Sequence, residues 1–223
     1  MKNRRFVVLI LVLIVTLPTF SQSDDFGIWY GLNTEYSVKK KLEIDLSAMI
    51  RTFNNASDID EAFLEGGVTY KLNKYLALAG SYRITENLED NSEYHIRHKL
   101  MADIKGNGSL GRFDFSARFR FQRQDKTYFE DANDEIPDYH GRIKIKAEYK
   151  TPSFPINPSI SFETFYRMFE ATEKRFDKHR FAIGIEYKIN KKHSLELEYM
   201  FERDYFPKLS DINLIVLSYK FKL

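Results

Sequence analysis

The feature that most constrains this chain is an alternation of apolar and polar residues that runs from Phe26 to the last residue. In residues 42–51, every second side chain is apolar and most of those between are charged or polar. The same period of two recurs in residues 94–104, 113–122 and 139–149. Because successive side chains of a strand point to opposite faces, this period predicts strands with one apolar and one polar face. The chain is therefore predicted to be all-β.

Eleven segments carry this pattern. They lie near residues 26–36, 40–53, 61–72, 75–86, 93–105, 111–123, 139–150, 159–169, 179–189, 194–203 and 212–223. The connections between them alternate along the chain between short ones, such as 73–74, and longer ones, such as 124–138. Strands of about ten residues or more, with short turns at one end and longer loops at the other, are typical of outer-membrane barrels. We therefore predict a transmembrane, antiparallel, up-and-down β-barrel.

The number of strands is constrained separately, because bacterial single-chain barrels have an even number. If the C-terminus and the short turns lie in the periplasm, the segment from Phe26 to Tyr36 begins on the wrong side. Either this segment is not a full barrel strand, which gives ten, or one crossing or break has been missed, which gives twelve. The expected range is ten to twelve strands, with twelve preferred.

The N-terminus has the pattern of a secretory signal peptide. Lys2, Arg4 and Arg5 precede an unbroken apolar run at residues 6–17, and a polar stretch follows. The apolar run is shorter than the roughly 20 residues that a spanning helix needs, so cleavage is favoured over an uncleaved anchor. We predict that residues 1–21 are removed and that residues 22–223 form a single barrel domain in the outer membrane of a Gram-negative bacterium.

Composition excludes several other classes of protein. Removing the predicted signal peptide takes away three basic residues and no acidic one, which changes the net charge from +2 to about −1. No nucleic-acid partner is therefore indicated. The chain has 0 cysteines, so a small disulfide scaffold is excluded.

A soluble periplasmic barrel that binds an apolar ligand is the competing topology, because alternation does not say which face points inward. Long strands, the heavy charge of the polar face and the export signal favour the membrane. The last segment, residues 217–223, alternates and carries aromatic residues near its end, as barrel-assembly signals do. The expected partners are outer-membrane lipid and the barrel-assembly machinery.

The polar face of the predicted strands carries charges of both signs. Strands five to seven contribute basic residues, whereas acidic residues dominate elsewhere. The candidate lumen charge network comprises Glu43, Asp45, Glu65, Arg97, Lys99, Arg118, Arg120, Arg142, Lys144, Glu186, Glu196 and Glu198, and Lys105, Lys146, Glu163 and Glu202 share its face. Because a barrel of this size is only slightly wider than the side chains that fill it, a basic wall and an acidic wall are expected to pair into a plug.

This lumen leaves two functions open. A self-paired network gives a structural barrel, whereas opposed walls that stay apart give a narrow pore for small ions or solutes. A lipid-modifying enzyme of the outer membrane is a further alternative, which needs a nucleophile beside a base. His193 and Ser194 are adjacent but point to opposite faces of a strand, and the acidic loop 124–138 lacks the glycine of a calcium loop. We therefore expect no enzyme, and no catalytic, cofactor or metal site is predicted.

Three stretches carry a family resemblance. Residues 25–30 (Asp-Phe-Gly-Ile-Trp-Tyr), residues 41–46 leading to Arg51, and residues 94–100 (Tyr-His-Ile-Arg-His-Lys-Leu) resemble the outer-membrane family catalogued as domain of unknown function 2490, DUF2490. The likeness covers nearly all of the mature chain. It implies a β-barrel of the Gram-negative outer membrane with no established biochemical activity, and it transfers no catalytic or ligand residue.

Overall fold

The computed structural model describes residues 25–88, 93–128, 136–169, 176–205 and 208–223. Within them the chain forms eleven strands. Their bounds are β1 (Asp25–Lys39), β2 (Leu42–Phe53), β3 (Asp58–Lys71), β4 (Leu76–Leu88), β5 (Tyr94–Leu110), β6 (Phe113–Lys126), β7 (Asp138–Tyr149), β8 (Ile156–Met168), β9 (Phe176–Lys188), β10 (His193–Asp204) and β11 (Ser210–Lys222). Every predicted segment is a strand, which confirms the all-β class. The predicted signal peptide lies outside the described residues.

The strands close into one barrel in which each strand pairs with its neighbours in sequence. All of these pairs are antiparallel except the closing one, because β1 pairs with β11 in parallel from Asp25↔Ile212 to Glu35↔Lys222. The predicted range of ten to twelve strands is confirmed, but the preference for twelve is wrong for the described residues. A parallel seam removes the parity requirement, since it lets the first and last strands run in the same direction.

The two ends of the barrel carry different sets of connections. The connections after β2, β4, β6, β8 and β10 lie at one end, called here the loop end, and the five remaining connections lie at the other, called the turn end. The parallel seam places Asp25 at the loop end, where its carboxylate accepts from the backbone N–H groups of Asn54 and Asn55 at 3.0 and 2.9 Å. At the turn end, Gly111 adopts a φ of 61°, which glycine reaches at no steric cost.

Most strands are longer than the sequence predicts, and β5 and β8 show why. β5 continues to Leu110 instead of ending near residue 105, because its hairpin with β6 closes over only Gly111 and Arg112. β8 begins at Ile156 instead of near residue 159, and it therefore includes Pro158. Pro158 pairs with β9 but lies beyond the last β7 pair, so its missing N–H falls where the strand has no partner on that side.

The two faces of the sheet differ as the alternation requires. The outer face is apolar and accessible, with Leu46 at 59% and Leu64 at 68% exposure. Tyrosines lie on this face near the strand ends: Tyr94 and Tyr139 at the loop end, and Tyr36, Tyr70, Tyr149 and Tyr187 at the turn end. The inner face carries the buried polar residues, so the alternative of an apolar ligand-binding interior is wrong for the described barrel. In the described parts of the chain, no helix has the length and apolar character needed to cross a membrane.

Candidate functional site: the charged lumen

The strand register places all twelve candidate network residues on the inner face. Glu43, Asp45 and Glu65 lie on β2 and β3 at one side of the barrel. The other members are Arg97 and Lys99 on β5, Arg118 and Arg120 on β6, Arg142 and Lys144 on β7, Glu186 on β9, and Glu196 and Glu198 on β10.

Most of these residues have a polar partner on a nearby strand. Arg83 donates to Glu65 through Nε and Nη2, at 2.8 and 2.6 Å. Arg120 makes a two-pronged pair with Asp103, at 2.6 and 2.8 Å. Further contacts join Lys71 to Glu43, Thr69 to Asp45 at 3.0 Å, Lys99 to Glu61 at 3.8 Å, and Ser194 to Glu186 at 3.0 Å.

Glu163 and Lys146 connect more distant strands. Glu163 accepts from both Arg118 and Arg142, at 2.7 and 2.9 Å. Lys146 on β7 reaches Glu196 on β10 at 2.7 Å, with Glu198 at 3.9 Å. Lys220 on β11 also pairs with Glu196, at 2.5 Å.

This pattern agrees in part with the expected pairing of a basic wall with an acidic wall, because Arg118 and Arg142 pair with Glu163 and Lys146 pairs with Glu196. Each of these ion pairs joins a member of the candidate set to a charged residue outside it, usually one or two strands away. Three arginines of β6 and β7 are paired locally, Arg120 with Asp103 and both Arg118 and Arg142 with Glu163. Lys144 lies in register opposite Arg118 and Glu163, within the same local group. The physical reason is reach, because side chains on adjacent strands stand about 5 Å apart.

The sequence prediction missed a second feature, which is a continuous stack of guanidinium groups and aromatic rings. Its members are Arg83, Phe63, Arg51, Trp29, Arg180, Phe165 and Arg142, called here the arginine–aromatic layer. Successive guanidinium carbons and ring centroids are 3.6, 5.1, 3.9, 5.0, 4.8 and 4.3 Å apart in that order. All six distances are within the range of a cation–π contact. The layer therefore links seven strands of the barrel.

Each arginine of the layer also has a carboxylate partner. Arg51 pairs with Glu61, and Arg180 pairs with Glu202, which also accepts from Lys178 at 2.7 Å. Arg83 and Arg142 pair with Glu65 and Glu163, as described above. The guanidinium charges are thus compensated by carboxylates while their faces stack on rings.

The layer is closely packed. The side chains of its four arginines are only 11–15% exposed, and Trp29 and Phe63 are 7% and 6% exposed. Neighbouring inner-face residues are buried as well, among them Glu61, Glu163 and Glu202. A water-filled pore would leave inner-face side chains accessible to water. At the height of the layer, the described side chains leave little such access.

Trp29 rests on an apolar patch of the inner face. Ala182, Met200, Leu214 and Val216 form a buried cluster with it, on strands β9, β10 and β11. Beside this patch Gly27 has no room for a side chain, because an added Cβ would lie 2.3 Å from the Thr52 carbonyl oxygen. The seam between β1 and β11 therefore holds the indole in place between Arg51 and Arg180.

Below the layer, toward the turn end, the lumen widens into a cavity of about 530 Å³. It is called here the turn-side cavity, and its inner-face lining includes Asn33, Glu35, Asp45, Ser47, Glu65, Gly67, Ala79, Ser81, Asp103, Lys105, Arg118, Arg120, Glu186, Lys220 and Lys222. Short side chains at Ser47, Gly67 and Ser81 account for the space. The lining side chains are mostly charged, but they do not fill the cavity.

His193 and Ser194, the adjacent residues of the enzymatic alternative, have different contacts. The imidazole of His193 contacts the hydroxyl of Tyr219, whereas the hydroxyl of Ser194 donates to Glu186 on the inner face at 3.0 Å. The two side chains thus have separate partners on opposite faces of β10. In the described residues, no group of three or more His, Asp or Glu side chains is arranged to hold a metal ion. The acidic residues 130–135 of the longest loop lie outside the described residues.

A family comparison accounts for most of the chain. Residues 26–213 match the model of a family described as a protein of unknown function, DUF2490. No curated protein matches the sequence.

Solved structures give a second comparison. The NanC porin aligns with a TM-score of 0.54 at 14% identity, covering 85% of this chain and 94% of that one. A bacterial polysaccharide outer-membrane secretin gives 0.49 at 10% identity, covering 79% and 73%, and the β domain of the Bordetella autotransporter Brka gives 0.48 at 10% identity, covering 79% and 82%. Of these three, the porin alone exceeds 0.5, and at this identity the likeness shows a shared barrel fold.

Proposed function

The chain belongs to the DUF2490 family, and from that premise we propose that it is an outer-membrane β-barrel closed at mid-height by its arginine–aromatic layer, with a structural role. The burial of the layer carries this proposal. A closed lumen stabilises the wall from within without conducting ions.

The outer face supports insertion into a membrane. Large apolar side chains are accessible on every strand of the barrel, for example Leu46, Ile104 and Phe181 at 59%, 50% and 57% exposure. Soluble monomers rarely expose contiguous apolar patches above a few hundred Å². Tyrosines near both ends fit the aromatic girdles of barrel proteins. A Gram-negative outer membrane, reached with the predicted signal peptide, is the compartment in which such barrels assemble.

Closure of the lumen is supported by the pairing of its charges. Each layer arginine is held by a carboxylate and by at least one ring, so moving it costs both contacts. Breaking one buried ion pair typically costs about 3–5 kcal/mol. The layer is therefore expected to be static on the timescale of ion passage.

A narrow pore is the second candidate, and the turn-side cavity favours it. The cavity extends from the turn end to Arg118 and Arg120, just below the layer. A pore with this geometry would open by displacement of the layer and would select small ions or solutes by its charged lining.

Single-channel recording tests the proposal. The mature chain, residues 22–223, is refolded and inserted into planar bilayers, with insertion checked by protease protection. We expect inserted barrels that do not conduct, whereas discrete conductance steps would favour the pore. Failure to insert would contradict the membrane assignment.

A variant of the layer sharpens this test. Trp29→Ala removes the ring between Arg51 and Arg180 and should produce conductance steps in the inserted barrel. Phe181→Ala on the outer face is the matched control, since it removes an aromatic ring without touching the lumen. Both variants are first checked for the heat-dependent gel shift of a folded barrel. A silent Trp29→Ala barrel that is folded and inserted would show that the indole is not the element that closes the lumen.

A further inference from the structure

The two ends of the barrel carry opposite charge. The turn-end segments 39–41, 72–75, 111–112, 150–155 and 189–192 contain eight basic residues and no acidic one. These basic residues are Lys39, Lys40, Lys41, Lys74, Arg112, Lys150, Lys191 and Lys192, and all are exposed. The loop-end segments 54–57, 89–93, 127–137, 169–175 and 205–209 contain nine acidic and three basic residues. A ring of like charge repels itself unless an anionic partner neutralises it.

The position of this basic ring relates it to lipid headgroups. Tyr36, Tyr70 and Tyr187 lie on the outer face just inside the turn end and are 44–49% exposed. Tyrosines of a membrane protein occupy the headgroup level. The lysines and arginine that follow them in the turns therefore reach the phosphates of the adjacent leaflet, if the barrel is inserted as proposed above.

An apolar groove lies on the outer face of the barrel, in the half nearer the turn end. It has a volume of about 590 Å³ and crosses β5 to β9. Its outer-face lining consists of Gly106, Gly108, Phe115, Ala117, Ile145, Ala147, Ile160, Phe162 and Phe181. Glycine and alanine form the floor, and a Cβ added at Gly108 would meet no atom within 4 Å. The groove is thus a depression with apolar rims, of the size of a small-molecule site.

A basic residue lies at the turn end of this groove. One step beyond Phe115 and Ala147, the rings of Phe113 and Tyr149 pack at 5.1 Å, and Arg112 donates from Nη1 to the Tyr149 hydroxyl at 3.2 Å. A guanidinium has five N–H donors, and this contact uses one. Lys150 follows Tyr149 and pairs with Asp114 at 2.5 Å, so Arg112 is the main phosphate donor here.

We propose that this groove and Arg112 bind one anionic phospholipid, with an acyl chain in the groove and the phosphate on the guanidinium. The proposal rests on the membrane insertion argued under the proposed function. An amphiphile fits because the site combines an apolar trough with a cation at one end only. The surrounding turn lysines make an anionic headgroup preferable to a zwitterionic one.

Native mass spectrometry of the folded mature chain tests the site. The barrel is released from detergent that contains equal amounts of phosphatidylglycerol and phosphatidylcholine with identical acyl chains. We expect one retained phosphatidylglycerol, favoured over phosphatidylcholine. Arg112→Gln should reduce its retention about fivefold, the effect of one basic residue near an anionic surface. The matched control is Lys208→Gln, an exposed lysine at the loop end, which should leave retention unchanged.

A second pair of variants tests the groove. Ala147→Phe fills the floor and should lower retention of the lipid, whereas Ala62→Phe places the same ring elsewhere on the outer face and should not. Glycerol 3-phosphate, which has the phosphate without acyl chains, should not displace the lipid. Equal retention of both lipids, or wild-type retention in folded Arg112→Gln and Ala147→Phe barrels, would overturn the proposal. The heat-dependent gel shift reports folding of every variant independently, so loss of the barrel is distinguished from loss of the lipid.

Discussion

The arginine–aromatic layer and the turn-side cavity are two parts of one lumen, and they are built on overlapping sets of strands by the same alternation. In both parts, cations pair with carboxylates. The layer contains bulky rings that the guanidinium groups stack on, whereas the cavity is lined at Ser47, Gly67 and Ser81 by side chains too short to meet across the bore. Charge pairing alone therefore does not close a barrel of this width, because closure depends on the volume that the inner-face side chains supply.

The layer and the cavity are expected to differ most in how much the removal of a carboxylate lowers the free energy of unfolding. Glu202→Gln leaves Arg180 and Lys178 without their shared anion at the layer, where the Glu202 side chain is 5% exposed. Loss of one partner of a buried pair typically costs about 3–5 kcal/mol. We expect the free energy of unfolding, measured by urea titration of the refolded barrel, to fall by this amount.

Glu186→Gln is the matched substitution beside the cavity. The Glu186 side chain is 17% exposed, and its partners are the Ser194 hydroxyl and Lys188, whose side chain is 47% exposed. Glu186→Gln should therefore lower the free energy of unfolding much less than Glu202→Gln does. Equal effects of the two substitutions would mean that the two parts of the lumen do not differ in packing.

The fold was largely predictable from the sequence, and its closure was not. A period of two identifies every strand, because one face must be apolar wherever it meets lipid or core. The pairing of β1 with β11 depends on which terminal strands meet once ten hairpins have formed, and no local pattern encodes it. The even-number rule for bacterial barrels therefore misled the count, although eleven segments are evident in the sequence.

The sequence predicted which residues face the lumen, but it did not predict which of them pair with one another. Alternation assigns Glu65 or Arg120 to the inner face, yet the choice of Arg83 or Asp103 as partner depends on register, which the sequence does not give. The arginine–aromatic layer had a visible signal, because Phe63 interrupts the polar face between Glu61 and Glu65. An aromatic residue at a charged-face position of a strand indicates stacking inside the barrel.

A smaller loss of stability is expected from a substitution at the boundary between the layer and the cavity. Arg120→Ala leaves Asp103 without its two-pronged partner, but Asp103 lines the cavity and water can then solvate it. We expect a loss of about 1–3 kcal/mol in the free energy of unfolding.

The control for Arg120→Ala is a cation within the cavity. Lys105 contacts the Thr69 hydroxyl at 3.2 Å, and Lys105→Ala should shift the urea midpoint less than Arg120→Ala does. The double variant Arg118→Ala/Arg120→Ala also frees Glu163 from one of its two arginines. If that double variant kept wild-type heat denaturation and stayed silent in bilayers, the charge pairs would not contribute to closure.

The smallest perturbation compares accessibility directly. The chain has 0 cysteines, so a single introduced thiol reports its own position. Ser81 and Thr85 both face inward on β4, but Ser81 lines the cavity and Thr85 is 0% exposed beside the layer. A water-soluble thiol reagent should modify Ser81→Cys in the folded barrel and leave Thr85→Cys protected until denaturation, with mass spectrometry as the readout. Rapid modification of both thiols would mean that water passes the layer, and the lumen would then be a pore.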